Sequence, residues 1–336
     1  MKKFIYLLIN ILLFSTLGFS QSGEGYKILR KLKISSSGGW DYLSVDETHH
    51  KIYVSHGNQV NILDETTGDS VGCVSHTNGV HGIAFVQEKN EGYISAGRLN
   101  SIITFDLTTY QIKDSIKVGK NPDAIFYDES QKHIITCNGK SSDVTFVDVN
   151  TDKVVGTLPL GGKPETAVSD GNGFLFVNLE DKNEVLKLDG KNFKVLAHYK
   201  LNGGKAPTGL SIDTKTNRLM VSCGDSPLMI ILDSKTGKQI TTIKTGDGTD
   251  GNAFDPATNL LFSSNGEGTL TIIKEVNANT FKLVKNLVTE KSARTIGINT
   301  QNHHVYLPSA DFLPPAPGSE RGKMIAGSFR VLDIGE

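Results

Sequence analysis

The 336-residue chain carries three cysteines, ten prolines and a single tryptophan, and its charges nearly cancel at a formal −1. Each scarcity excludes something. Cys73, Cys137 and Cys223 cannot all pair within one chain, so no disulfide framework is expected, and each cysteine reads as a small, buried, apolar residue with a free thiol. Balanced charge without a Lys or Arg run leaves no electrostatic footprint for nucleic acid or an anionic membrane surface. The CxxCH, HExxH and Walker patterns are absent, which removes the haem, zinc-protease and P-loop readings that rest on them. Gly246, Gly248 and Gly251 do spell GxGxxG, but they lie between two strand-like runs, and dinucleotide binding needs a helix after that turn.

Long apolar runs are missing too, apart from residues 4–17. That run follows Met1-Lys2-Lys3, is interrupted by Asn10, and ends at Gly18-Phe19-Ser20 before Gln21. It is shorter than the about 20 residues a membrane span requires, and its flanks are those of a secretory signal. Residues 1–20 are therefore expected to be a signal peptide cleaved near Ser20/Gln21. The mature chain, 21–336, is expected to be a single extracytoplasmic domain, periplasmic or secreted, with no membrane span. The first cysteine is as distant as Cys73, which argues against a lipid anchor.

What the chain has in abundance is one repeated unit. Residues 122–163 read as four short strands, 124–128, 133–137, 143–148 and 153–160, rich in β-branched and aromatic residues and bounded by Asp, Asn, Ser or Gly. The third strand recurs as QVNILD, SIITFD, DVTFVD, EVLKLD, LMIILD, TLTIIK and SFRVLD, ending at residues 64, 106, 148, 189, 233, 274 and 333. Successive intervals are 42, 42, 41, 44, 41 and 59 residues by subtraction, so the last carries an insertion, at about 308–327. Seven copies at this period predict an all-β, seven-bladed β-propeller with four-stranded antiparallel blades. The Asp closing six of the hexamers reads as a turn former that accepts backbone N–H groups just beyond it. Blade 7 ends after its third strand, while residues 26–34, YKILRKLKI, carry the fourth-strand rhythm before blade 1. The N-terminal strand should complete the last blade and close the ring, removing an open edge.

Segments such as KIYVSHGNQVNILDETTG and HIITCNGKSSDVTFVDVNTDKVVGTLPLGGKPE resemble the YVTN-repeat, YncE-like seven-bladed propeller family of exported bacterial proteins. The resemblance covers essentially the whole mature chain. It implies an extracytoplasmic propeller and brings no universal catalytic motif.

Propeller topology places the second-to-third-strand loops and the starts of the innermost strands on one face. One residue per blade stands there at the channel mouth: Asp41, His81, Asp123, Glu165, Thr208, Asp250 and Arg294. Four acids, a His and an Arg around a concavity suit a cation or a hydroxyl-rich ligand. The alternative is that they hydrogen-bond neighbouring blades and water. Trp40, His56 and Arg98 are further ligand-binding candidates on the same face. Trp40 stands where blades 3 to 5 have Pro122, Pro164 and Pro207, and it can stack on a ligand or pack between blades 1 and 7. The insertion reads as a lid or a passive cover, with Phe312, Leu313 and Met324 to pack it. On the opposite face the pairs His49-His50 and His303-His304 sit at matching turns, where each pair offers at most one ligand to a shared metal.

Two functions follow as expectations. The first is a non-enzymatic, monomeric binding propeller that takes a small ligand or protein partner at the channel mouth. The second is a metal-assisted hydrolase or lyase acting on a lactone or saccharide-like substrate, with His81 as acid or base beside a divalent cation in the central channel. The sequence assigns no catalytic residue and no cofactor beyond that divalent cation.

Overall fold

The computed structural model describes residues 23–315, 318 and 322–336. Residues 1–20, read above as a signal peptide, lie outside the described residues. Among the described residues no helix is long and apolar enough to cross a membrane.

Seven four-stranded antiparallel sheets stand in a ring. Blade 3 illustrates the repeat, with strands Pro122–Asp128, His133–Asn138, Asp143–Asp148 and Lys153–Pro159 in sequential order. Its two middle strands are almost continuously buried because neighbouring blades cover both their faces, whereas the outermost strand is largely exposed. That difference explains why the inner strands read as unbroken apolar runs and the outer ones do not. Seven apolar clusters fill the seven blade interfaces, one to each, instead of one central core.

Ring closure is as the sequence predicts. Lys27–Lys33 pairs antiparallel with Arg330–Gly335, placing Leu32 opposite Val331, and becomes the outer strand of blade 7. Arg30 clamps the joint by donating from Nη2 to Asp333 Oδ2 at 2.6 Å and to the Glu65 carbonyl at 2.8 Å. Glu65, buried between blades 1 and 7, accepts from Asn299, Asn302 and Tyr306 at 2.7, 2.9 and 2.8 Å.

The turn aspartates behave as expected in blades 1 to 5. Asp64, Asp106, Asp148, Asp189 and Asp233 each accept the N–H groups two and three residues on. Asp333 departs from this role: it lies inside the strand Arg330–Gly335 and is buried against Arg30 and His304. All three cysteines are free, and Cys137 and Cys223 are buried. Cys73 corrects the expectation: it lies on the outermost strand of blade 1, Ser70–Val74, and is exposed.

The blade-7 insertion begins later than expected, since the second strand, His304–Ser309, runs through Pro308. Phe312 and Met324 then form a β-bridge, with Leu313 N–H bonded to the Lys323 carbonyl and Ile325 N–H to the Asp311 carbonyl. Phe312 packs on Trp40 and Met324 on the cluster between blades 7 and 1, but Leu313 is exposed.

Candidate functional site

The channel mouth is organised by a backbone device that recurs around the ring. In blades 2 to 6 the innermost strand slips register against the second strand at the mouth residue, with bulges spanning His81, Asp123, Glu165, Thr208 and Asp250. A bulge leaves its residue out of the ladder and re-aims its side chain. The loops that face this bulge are tied down the same way in six blades, where N–H groups of Gly57, Gly97, Gly139, Glu180, Gly224 and Gly266 bond the carbonyls of Gly39, Gly79, Asn121, Lys163, Ala206 and Gly248. Hydroxyls from neighbouring blades complete the scaffold: Ser95 bonds the Asp123 carbonyl, and Thr295 bonds the Asp41 carbonyl at 2.7 Å.

Five of the seven predicted mouth residues form one continuous arc. Arg294 Nη1 donates to Asp250 Oδ2 at 2.6 Å, and Arg294 Nη2 lies 3.9 Å from Asp41 Oδ1. His81 Nδ1 then stands 2.7 Å from Asp41 Oδ2 and 3.4 Å from Asp123 Oδ1. Glu165 continues beside the arc with Lys163 Nζ at 3.2 Å from its Oε2, and Lys163 also pairs with Glu180. Thr208 leaves the group: its hydroxyl is buried and donates to the Thr249 carbonyl at 2.7 Å, a link between blades.

The electrostatics of this arc are those of acids held out of water. Asp123 and Glu165 are only 8% and 9% exposed; Asp123 Oδ1 is buried without a hydrogen-bond partner, and Glu165 Oε2 is buried with the Lys163 ammonium beside it. Burial, then the charge of Asp41, pushes the Asp123 carboxyl up to about 7 despite His81. Burial, then Asp123, pushes Glu165 up to about 9 despite Lys163. Asp250 is also raised by burial, against the pull of Arg294. At His81 burial opposes the charged imidazole, but the Asp41 hydrogen bond and the Asp123 charge prevail and raise its pKa.

Two residues that sequence reasoning passed over shape the site. Tyr42, next to Asp41 on blade 1, packs against the cluster between blades 3 and 4 that holds Ala124 and Ala167. It thus crosses the channel beneath the mouth, and burial with the charges of Glu165, Asp123, Asp41 and Asp250 holds its hydroxyl protonated. The only signal was an aromatic at the start of an innermost strand. Gly97 is the second: a Cβ there would meet His81 Nε2 at 2.8 Å, so the glycine makes room for the imidazole.

The three loop candidates separate. His56 is fully buried, with Nδ1 on Ser36 Oγ at 2.6 Å, Nε2 on the Gly38 carbonyl at 2.7 Å, and its ring stacked on Phe329. With both nitrogens occupied it has no capacity left for a ligand. Arg98 is exposed and lines a groove with Ser37, Asn58 and Asn78. Trp40 packs on Phe329 and Phe312 at 5.1 and 5.9 Å between ring centroids. Together with Phe312, Lys291, Arg294, Gly248 and Gly266 it lines a cleft of about 620 Å³ adjoining the arc. On the opposite face three of the four candidate histidines are taken by a carboxylate, His49 by Asp46, His303 by Asp255 and His304 by Asp333, all at 2.7 Å, while His50 lies 3.7 Å from Glu65.

The fold and the mouth define a seven-bladed β-propeller with an acidic, bulge-presented channel mouth. No family model and no curated protein matches the chain. Among solved structures, Kuenenia stuttgartiensis hydrazine synthase is similar at 14% identity and a TM-score of 0.71, covering 82% of this chain and 94% of that one. A chain of the mitotic checkpoint complex is similar at 10% identity and a TM-score of 0.77, covering 100% and 99%. Likeness at such low identity establishes the propeller fold and says nothing of function.

Proposed function

We propose that the chain is an extracytoplasmic, non-enzymatic propeller of the YVTN-repeat, YncE-like type that binds a small ligand or a protein partner through the channel mouth. One observation carries this reading: Asp123 and Glu165 are neighbouring buried carboxylates, Asp123 Oδ1 without a hydrogen bond and Glu165 Oε2 with only a Lys163 ammonium that Glu180 shares. An unsatisfied buried polar group costs about 1–3 kcal/mol, and more when charged. Fold stability offers no reason to keep two of them side by side. A ligand that brings positive charge or N–H donors to the mouth does.

The test is a melting-temperature panel with spermidine and glucosamine as cationic probes and glucose as the neutral control. Both cationic probes are expected to raise the melting temperature of the wild type and to leave the Asp123→Asn, Glu165→Gln double variant unmoved. Without probe, the double variant is expected to be at least as stable as the wild type, because binding sites are built at the expense of stability. A variant several degrees less stable, with probes acting equally on both proteins, assigns the carboxylates to structure and refutes the reading.

The position of His81 between Asp41 and Asp123 favours one second reading, metal-assisted hydrolysis or elimination on a lactone or saccharide-like substrate. Turnover of lactones or glycosides that vanishes in His81→Ala would select it.

A further inference from the structure

We infer that Asp41, His81 and Asp123 form a binding site for one divalent transition-metal ion of the Zn²⁺ class. The inference rests on the channel mouth being the binding site and names what it holds first. Asp41, His81 and Asp123 each offer one ligand atom, all within 4.8 Å of one another. Around a tetrahedral zinc, with bonds of roughly 2.0–2.2 Å, neighbouring ligand atoms stand about 3.4 Å apart. His81 Nδ1 and Asp123 Oδ1 are already 3.4 Å apart. His81 Nδ1 and Asp41 Oδ2, at 2.7 Å, share a hydrogen bond, and replacing that proton with a metal needs them to part by about 0.7 Å.

Charge placement points to the same spot. Arg294 is committed to Asp250, and Lys163 is shared by Glu165 and Glu180. Asp41 and Asp123 are left with an imidazole between them and a distant guanidinium, 3.9 Å from Asp41. Two carboxylates and a neutral imidazole balance a divalent ion. The second observation is Asp123 Oδ1 itself, buried, without a hydrogen-bond donor, and directed at His81. An imidazole nitrogen among the ligands selects a first-row transition ion over Ca²⁺ or Mg²⁺, which prefer oxygen alone. Three protein ligands leave a position for an incoming group.

Backbone anchoring makes the site rigid. Asp41 N–H donates to Ser55 Oγ at 3.0 Å and its carbonyl accepts from Thr295, while the Asp123 carbonyl accepts from Ser95. Gly97 seats the ring of His81, so its replacement by alanine pushes the imidazole out of place.

Calorimetric titration of Zn²⁺ into EDTA-stripped, desalted protein tests the site. One ion per chain is expected, with affinity lowered about 100-fold or more in His81→Ala and in Asp123→Asn, and changed by less than about threefold in His49→Ala and His303→Ala. If His81→Ala fails to fold, diethyl pyrocarbonate labelling of the wild type answers the same question: Zn²⁺ should protect His81 selectively. Absence of stoichiometric binding, or binding retained without His81, overturns the metal site. If spermidine or glucosamine still stabilises the wild type through Asp123 and Glu165 in that case, only the metal assignment falls. If they do not, the channel-mouth reading falls with it.

Discussion

Single residues in this chain split into those whose role their neighbours in sequence dictate and those whose role only the ring creates. The turn aspartates are of the first kind, since DETTG or DVNTD contains both the carboxylate and the N–H groups it accepts. Asp64 shows the consequence for stability. The Lys51 ammonium, hydrogen-bonded at 2.6 Å, and the Thr67 N–H hold its pKa down at about 2. A carboxyl depressed by folding contributes stability above its unfolded pKa of about 4, and that contribution is lost as pH falls through 2. Asp106, Asp148, Asp189 and Asp233 are lowered too. The urea midpoint should therefore drop between pH 4 and pH 2. Asp64→Asn should flatten that drop and cost about 1–2 kcal/mol at pH 7, allowing for partial solvent screening; an unchanged acid slope would contradict the assignment. His56 is of the second kind. It follows a strand on the face where binding residues gather, which is all that sequence can say, yet Ser36 and Gly38 from a preceding loop occupy both its nitrogens. The mouth set was legible as seven positions. Its pairing was not, because the Asp41–His81 and Asp250–Arg294 contacts join residues 40 and 44 positions apart.

At the scale of elements, strand rhythm was readable and strand geometry was not. The alternation in YKILRKLKI sufficed to assign it as the outer strand of blade 7, and Lys27–Lys33 takes that place. The bulges at the mouth had no readable counterpart, because a bulge is a mismatch between two strands and neither sequence alone displays it. The closing strand is also where the ring is most easily opened. Leu32 is buried in the cluster joining blades 7 and 1 with Val331 and Phe329, so Leu32→Ala should cost about 2–4 kcal/mol. Deleting residues 26–34 should cost more and expose Arg330–Gly335 as an unpaired edge, giving self-association by light scattering. A deletion variant that stays monomeric and melts with the wild type would disprove the closure.

At the scale of the whole molecule, seven interface clusters share the apolar work, so the channel is free to carry groups that a single-core protein must bury or pair. This is the physical reason the propeller tolerates Asp123 and Glu165 under-satisfied at its centre, with Tyr42 crossing below them. Period and copy number made the blade count readable. The ligand was not, since it depends on which mouth residues come within a few ångströms of one another, and the repeat fixes only that they share a ring. The central claim is that Asp41, His81 and Asp123 hold a metal ion at the channel mouth. It is tested most directly by an anomalous difference map from crystals of the wild-type protein soaked in Zn²⁺. The account predicts one strong peak about 2.0–2.2 Å from His81 Nδ1, Asp41 Oδ2 and Asp123 Oδ1. A map with no peak there, or with zinc only at His49 and His303 on the opposite face, would contradict it.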